Sequence, residues 1–130
     1  TKFNEIRYQN FTSSGTSGDF GDLTIANQKA CATADAMRAV IFGGQPSGNS
    51  NHIDYVTIQT TGNATDFGDL VYITSEAGAS SDGTYALCTG GSISNLFGEE
   101  MQRVTVQTTG NATYIGDLTK SAMCAAASGT

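Results

Sequence analysis

The chain of 130 residues has no tryptophan, one proline, one histidine and three cysteines, and only 14 % of it is charged. Six basic residues stand against twelve acidic ones, a net charge of −6. So thin a cationic field excludes the phosphate neutralisation on which nucleic-acid binding rests. No run of about 18 apolar residues is present to cross a bilayer as a helix. Thr1 opens into mixed polar sequence without the charged and apolar regions of a signal peptide. These absences predict a soluble chain, with no nucleic acid and no membrane insertion; a processed N-terminus or an excerpt of a longer protein would read the same way.

Cys31, Cys88 and Cys124 are odd in number, and none lies within two to four residues of another cysteine or of His52. That spacing matches no zinc or redox pattern, so buried thiols behaving as small hydrophobes are expected, with no metal and no cofactor. His52 stands in a polar stretch with no nucleophile-elbow serine or cysteine near it and is expected in a solvated loop. Glu99 and Glu100 read as an exposed pair at a strand entry. Paired carboxylates hydrolyse glycosides only at particular separations, and nothing in the sequence fixes one. The expectation is therefore a protein without catalytic residues, a glycan hydrolase being the weakest of its readings.

What the sequence does have is repetition. "VTIQTTGNATDFGDL" (Val56 to Leu70) returns as "VTVQTTGNATYIGDL" (Val104 to Leu118), and Phe20 to Leu23 already reads "FGDL". Gly15, Gly62 and Gly110 align, as do Asp22, Asp69 and Asp117, in steps of 47 and 48 residues; Gly43-Gly44 returns as Gly90-Gly91 after 47. Between Ile53–Leu70 and Met101–Leu118, 12 of 18 positions are identical, and between Ile6–Leu23 and Ile53–Leu70, 8 of 18. These are duplicated units, about 1–29, 30–77 and 78–130, of one domain.

A period in the forties suits either helix pairs or four-stranded propeller blades. "IDYVTIQT" and "QRVTVQTT" are rich in β-branched and aromatic residues, and "RAVIFGG" is a short apolar run closed by two glycines, both strand signals. Sixteen glycines would each cost a helix about 1 kcal/mol. Only "KACATADAM" has tolerable helix composition. The fold class is therefore all-β, in blades of four antiparallel strands: Ala30–Ala34, Arg38–Phe42, Ile53–Thr60 and about Thr65–Leu70. Ile53 and Tyr55 alternate with Val56 and Ile58, all large, which predicts burial on both faces.

Gly62-Asn63 and Gly110-Asn111 suit a tight turn whose asparagine bonds local backbone. Asn10, Asn63 and Asn111 also satisfy the N-glycosylation sequon. The acidic pairs Asp19/Asp22 and Asp66/Asp69 raise calcium, but the third copy has Tyr114 in place of the first aspartate, and calcium takes six to eight oxygens. Asp22, Asp69 and Asp117 are instead expected to accept backbone N–H bonds in the turn after the outer strand, with Phe20, Phe67 and Ile115 wedged between units.

The layout "RAVIFGG", loop, "IDYVTIQTTGNATDFGDL", small residues with cysteine resembles a kelch-type β-propeller unit. More narrowly, it is similar to repeats of kelch-like structural proteins of marine bacteriophages, and the likeness covers nearly the whole chain. Two departures stand out: tryptophan is missing, and "YITSEAGASSDGTYALCTGG" gives Cys31 and Arg38 no counterpart in the second unit. The resemblance implies a tail-fibre, head-fibre or decoration protein, virion-borne or extracellular, whose partners are other virion proteins or host surface glycans. The length holds about 2.8 units, whereas closed propellers need about four to eight blades. A homo-oligomer, with two chains making a six-bladed ring, or a longer parent chain is expected. Loops Gln45–Asn51 and Ala79–Gly83 would face outward. A lectin-like rival would hold sugars through Tyr55, Tyr72 or Tyr85.

Overall fold

In a computed structural model, which describes residues 1–94 and 96–123, the chain folds as three antiparallel sheets in sequence order. The first is a hairpin of β1 (Phe3–Tyr8) and β2 (Gly18–Asn27). The second is a meander of β3 (Cys31–Ala34), β4 (Arg38–Phe42), β5 (Ser50–Thr57) and β6 (Thr65–Thr74). The third repeats that meander as β7 (Gly78–Ser81), β8 (Tyr85–Thr89), β10 (Leu96–Thr105) and β11 (Thr113–Ala122), with a short β9 (Ser92–Ile93) paired to β10. The architecture is all-β and antiparallel, without a helix among the described residues; the three sheets do not close into a ring. Cys124 lies outside the described residues.

Strand composition accounts for most of these boundaries. "RAVIF" forms β4 and stops where Gly43 (φ 59°) and Gly44 (φ 98°) turn the chain; Gly90 (62°) and Gly91 (96°) do the same after β8. The third strand begins earlier and ends earlier than Ile53–Thr60, because Thr57 and Thr60 close a turn through a backbone bond of 3.3 Å. The fourth runs on to Thr74 through "VYIT" rather than stopping at Leu70. "KACATADAM" is not helical: its first half is β3, a strand of small residues.

All three sheets carry the same irregularity. Register slips between Ile6 and Arg7, between Ile53 and Asp54, and between Met101 and Gln102, and the residues facing them are Gly21, Gly68 and Gly116. These glycines have φ of 147°, 142° and 132°, a region that side chains with a Cβ rarely enter. The bulge therefore requires the glycine of "FGDL", and it turns that backbone toward the next sheet.

There the next turn docks. Gly62 N–H donates to the Phe20 carbonyl at 2.7 Å, Ala64 N–H to the Asp22 carbonyl at 2.7 Å, and Asp22 N–H to Asn63 Oδ1 at 3.0 Å. One unit later Gly110, Ala112 and Asn111 make the same three bonds to Phe67 and Asp69 at 2.8, 2.8 and 3.1 Å. A Cβ on Gly21 would sit 2.3 Å from the Gly62 carbonyl oxygen, and one on Gly68 2.5 Å from that of Gly110. The aspartates thus lie inside strands and contribute main-chain groups to this joint, rather than capping a turn after the strand with their carboxylates.

The core lies mainly between the second and third sheets. Val40, Phe42, Ile53, Phe67 and Leu70 meet Ala86, Cys88, Val104, Val106 and Ala112. The opposite face of the second sheet is also covered, since Asp54 and Val56 are buried there. The inner strands β3 and β7 lie against each other, which their alanines, serines and glycine permit. Phe67 is wedged in at 3 % exposure, whereas Ile115 at the equivalent place is 42 % exposed.

Two glycines of one alignment column should therefore behave differently. Among the described residues a Cβ at Gly116 would meet only Met101 Cε, at 3.6 Å, so Gly116→Ala should cost backbone strain alone, about 1–3 kcal/mol. Gly68→Ala should cost roughly 2 kcal/mol more, because two main-chain bonds of the joint are displaced as well. Urea unfolding of both variants measures this, and equal losses would sink the joint as a stabilising contact.

Candidate functional site

Beside the docking turn, each hairpin of third and fourth strands leaves a shallow depression. The first, about 350 Å³, is lined by Tyr8, Gln9, Asn10, Gly15 and Thr16. The second, about 310 Å³, is lined by Tyr55, Thr57, Thr60, Asn63 and Thr65. The third, about 340 Å³, is lined by Tyr85, Arg103, Thr108, Asn111 and Thr113. An aromatic ring ringed by hydroxyls and amides is the surface a sugar uses, apolar face on ring and hydroxyls to polar groups. It arises here by repetition, because the same hairpin is built three times.

The candidate tyrosines are not brought together. Tyr55 lies on β5, Tyr85 on β8, and each lines its own depression. Tyr72 lies on β6 and packs edge-on against Tyr114 at 5.8 Å, away from both. Tyr55 already holds the Arg38 guanidinium over its ring at 4.5 Å and meets Phe67 edge-on at 5.8 Å. Tyr85 holds Arg103 at 4.4 Å. These two cation–π pairs occupy matching positions with the partners exchanged: arginine on the second strand and tyrosine on the third in one sheet, the reverse in the next. Arg38 therefore has a functional counterpart, in Arg103, that a column-by-column alignment hides.

His52 is not a solvated loop residue. It lies on β5, half-buried, with Nε2 3.0 Å from Asp54 Oδ1 and 2.7 Å from Thr24 Oγ1. Hydroxyl, imidazole and carboxylate in one cluster suggest a hydrolytic triad, and the geometry denies it. A triad passes a proton through opposite ring nitrogens, while here both contacts fall on Nε2. Thr24 also bonds both Asp54 oxygens directly, at 2.8 and 3.0 Å, and Thr24 N–H donates to Oδ2 at 3.1 Å. The cluster is a tie between the first and second sheets. Gln102, at Asp54's position in the third sheet, makes the corresponding tie to the second: Tyr72 N–H donates to its Oε1 at 2.9 Å, and its Nε2 donates to the Tyr72 carbonyl at 3.2 Å.

The glycine pairs are also joint residues. Gly44 N–H donates to the Thr74 carbonyl and Gly91 N–H to the Ala122 carbonyl, both at 2.8 Å. Asn27 Nδ2 donates to the Gly43 carbonyl at 2.8 Å, and Thr74 Oγ1 to the Gly90 carbonyl at 3.0 Å, linking each fourth strand to the following sheet. Of the loops expected to face outward, Gln45–Asn51 is held down by Asn49, whose Nδ2 donates to the Ser92 carbonyl at 2.6 Å, and its last residues belong to β5. Ala79–Ser81 belongs to β7, leaving only a short turn beyond it.

Sequence reading missed the turn aspartates. Asp35 Oδ1 accepts N–H bonds from Met37 and Arg38 at 2.8 and 2.7 Å, and Asp82 Oδ1 those of Thr84 and Tyr85 at 2.8 and 2.7 Å. The 47-residue step between them was the available signal. It also missed a thiol pair: Cys31 and Cys88, free cysteines on adjoining sheets, have Sγ atoms 3.9 Å apart. That contact lowers the Cys31 thiol, against burial, and raises Cys88, which burial raises further. Among the described residues no three His, Cys, Asp or Glu side chains gather as a metal site.

Desolvation pushes the Asp35 carboxyl up, but the Arg38 and Met37 amides, the Gln107 side chain and the Arg38 charge outweigh it and hold it below its ordinary value. A depressed folded value stabilises above the unfolded pKa of about 4 and is lost as pH falls through the folded one. Asp35→Asn should therefore be less stable than the native chain at neutral pH by a few tenths of a kcal/mol after solvent screening. Urea midpoints at descending pH should converge below about 4; a gap that ignores pH would contradict the charge effect.

No protein-family model matches the chain, and a search of curated proteins found no match.

Proposed function

We propose that the chain is a non-enzymatic structural or adhesion module of a phage virion, of tail-fibre, head-fibre or decoration type, built from kelch-like propeller blades. One observation carries the scaffold reading: the joint between neighbouring sheets is made twice with the same bonds, so that each sheet is bounded by its neighbours rather than by a core of its own. The sheets follow one another as blades do, with small-residue strands β3 and β7 adjoining and larger strands outward. The virion assignment rests on the kelch-like phage resemblance of "RAVIFGG" and "IDYVTIQTTGNATDFGDL". An antibody raised against the chain should label purified phage particles in electron microscopy; unlabelled particles, with the protein detected only inside cells, would refute the assignment.

A carbohydrate-binding role is the second reading, favoured by the three repeat-related depressions. In the third, Tyr85 is partly exposed beside Thr108, Asn111 and Thr113, with the Arg103 guanidinium over one face of its ring. Saturable binding on an array of bacterial surface glycans, weakened at least about tenfold by Tyr85→Ala as expected for an aromatic anchor, would support it. Binding that Tyr85→Ala leaves untouched would place any sugar site elsewhere.

A further inference from the structure

We propose that Cys31 and Cys88 form a modification site: in the folded chain a small-molecule disulfide oxidises them to an intramolecular disulfide that ties the second sheet covalently to the third. The cross-link goes beyond the scaffold reading and does not depend on the virion assignment.

Packing between sheets, not the repeat, places the pair. Cys31 opens β3 and Cys88 lies in β8, and the 47-residue step does not equate them: it carries Cys31 to Gly78 and Cys88 back to Ile41. The small residues of β3 and β7 let those strands lie together, which brings β3 alongside β8 as well. The two Sγ atoms face each other at 3.9 Å although 57 residues separate them in sequence. Bonding closes that gap to about 2.05 Å, which takes side-chain rotation and a slight approach of strands that only small residues hold apart.

The two thiols differ in the way that thiol–disulfide exchange needs. Cys31 is partly exposed, whereas Cys88 is fully buried in the core with Val40, Phe42 and Ala86. The hydrogen bond from Cys88 lowers the Cys31 thiol against its burial, and the same contact, together with burial, raises Cys88. Cys31 is thus the thiolate that attacks. It bonds one sulfur of the incoming disulfide and expels the other as a thiolate. Capping leaves Cys31 without charge and removes the contact that raised Cys88. Cys88 then gives up its proton and attacks Cys31 Sγ, which breaks the mixed disulfide and releases the second small thiolate. Two protein thiols are oxidised by two electrons, the small disulfide is reduced to two thiols, and the two protons leave on them. A bridge over so long a loop restricts the unfolded chain far more than the folded one.

The test starts from Cys124→Ser, which removes the third thiol. That chain, folded, is incubated overnight with excess oxidised glutathione, and peptide mass mapping after alkylation reads the pairing. A Cys31–Cys88 disulfide with no free thiol left is expected. The oxidised chain should melt roughly 5–15 °C above the same chain reduced with dithiothreitol. Cys31→Ser in that background changes a partly exposed position, its fold is checked by circular dichroism, and it should lose the shift. Thiols that stay free, glutathione retained on Cys31, or bridges between two chains would overturn the inference. So would a Cys31–Cys88 bond that leaves the melting temperature unchanged or lowers it. None of these results would touch the main-chain joints or the scaffold reading.

Discussion

The structure depends on a carbonyl approaching a backbone where no side chain fits. At the bulges of the first two sheets the glycine of "FGDL" leaves room for the carbonyl of the next unit's Gly62 or Gly110. The groups exposed by the bulge then find partners across the interface rather than in their own sheet. A bulge normally leaves main-chain groups unpaired, and buried groups of that kind are costly. Here the defect in one sheet is the docking site of the next. The same glycine therefore satisfies a local requirement of backbone angle and a long-range one of close approach.

Main-chain joints of this kind fix register, while side chains supply most of the cohesion. The second sheet buries both faces: Val40, Phe42, Ile53 and Phe67 toward the third sheet, Asp54 and Val56 toward the first. The first sheet has only two strands, and a two-stranded hairpin alone is marginal in water. It is held through Thr24, Asn27 and Gln28, each bonded to the second sheet. Buried polar groups are used at these ties, and each has its partner; no buried side-chain nitrogen or oxygen is left without one among the described residues. Asp54 and Gln102 do the same task with different chemistry, one accepting from a hydroxyl and an amide, the other bridging both groups of a single peptide position.

The repeats made the antiparallel all-β architecture legible before any coordinates, because identity at a fixed step marks equivalent residues and β-branched runs mark strands. Arg38–Phe42 and the glycine pair that ends it coincide with β4 and its turn, since an apolar run stopped by two glycines has few alternatives. What was not legible belongs to contacts between units. Asn63 reads locally as a turn residue, and nothing in its neighbourhood says that its side chain reaches Asp22, 41 residues away in sequence. Arg103 and Tyr85 pair as Arg38 and Tyr55 do, but with strands exchanged, so alignment by column separates what space unites. His52 was misplaced for a similar reason: the Gly-, Ser- and Asn-rich run before it suggested a loop, whereas it lies on a strand and bonds Thr24 of the neighbouring sheet and Asp54 of its own.

Exchange of this kind also bears on where a recognition surface can arise. The positions that make the joint, Gly21, Gly68, Asn63 and Asn111, are constrained by a distance of about one hydrogen bond and tolerate little change. The hairpin mouths beside them are not so constrained. Tyr8, Tyr55 and Arg103 occupy one repeat position, Arg38 and Tyr85 another, and the three depressions differ in lining while keeping a similar size. A scaffold whose main chain carries the assembly leaves its side chains at the mouths free to diverge. Affinity for a surface ligand would then come from several weak, unequal sites held at fixed spacing, and multivalency amplifies such sites without any one of them being deep.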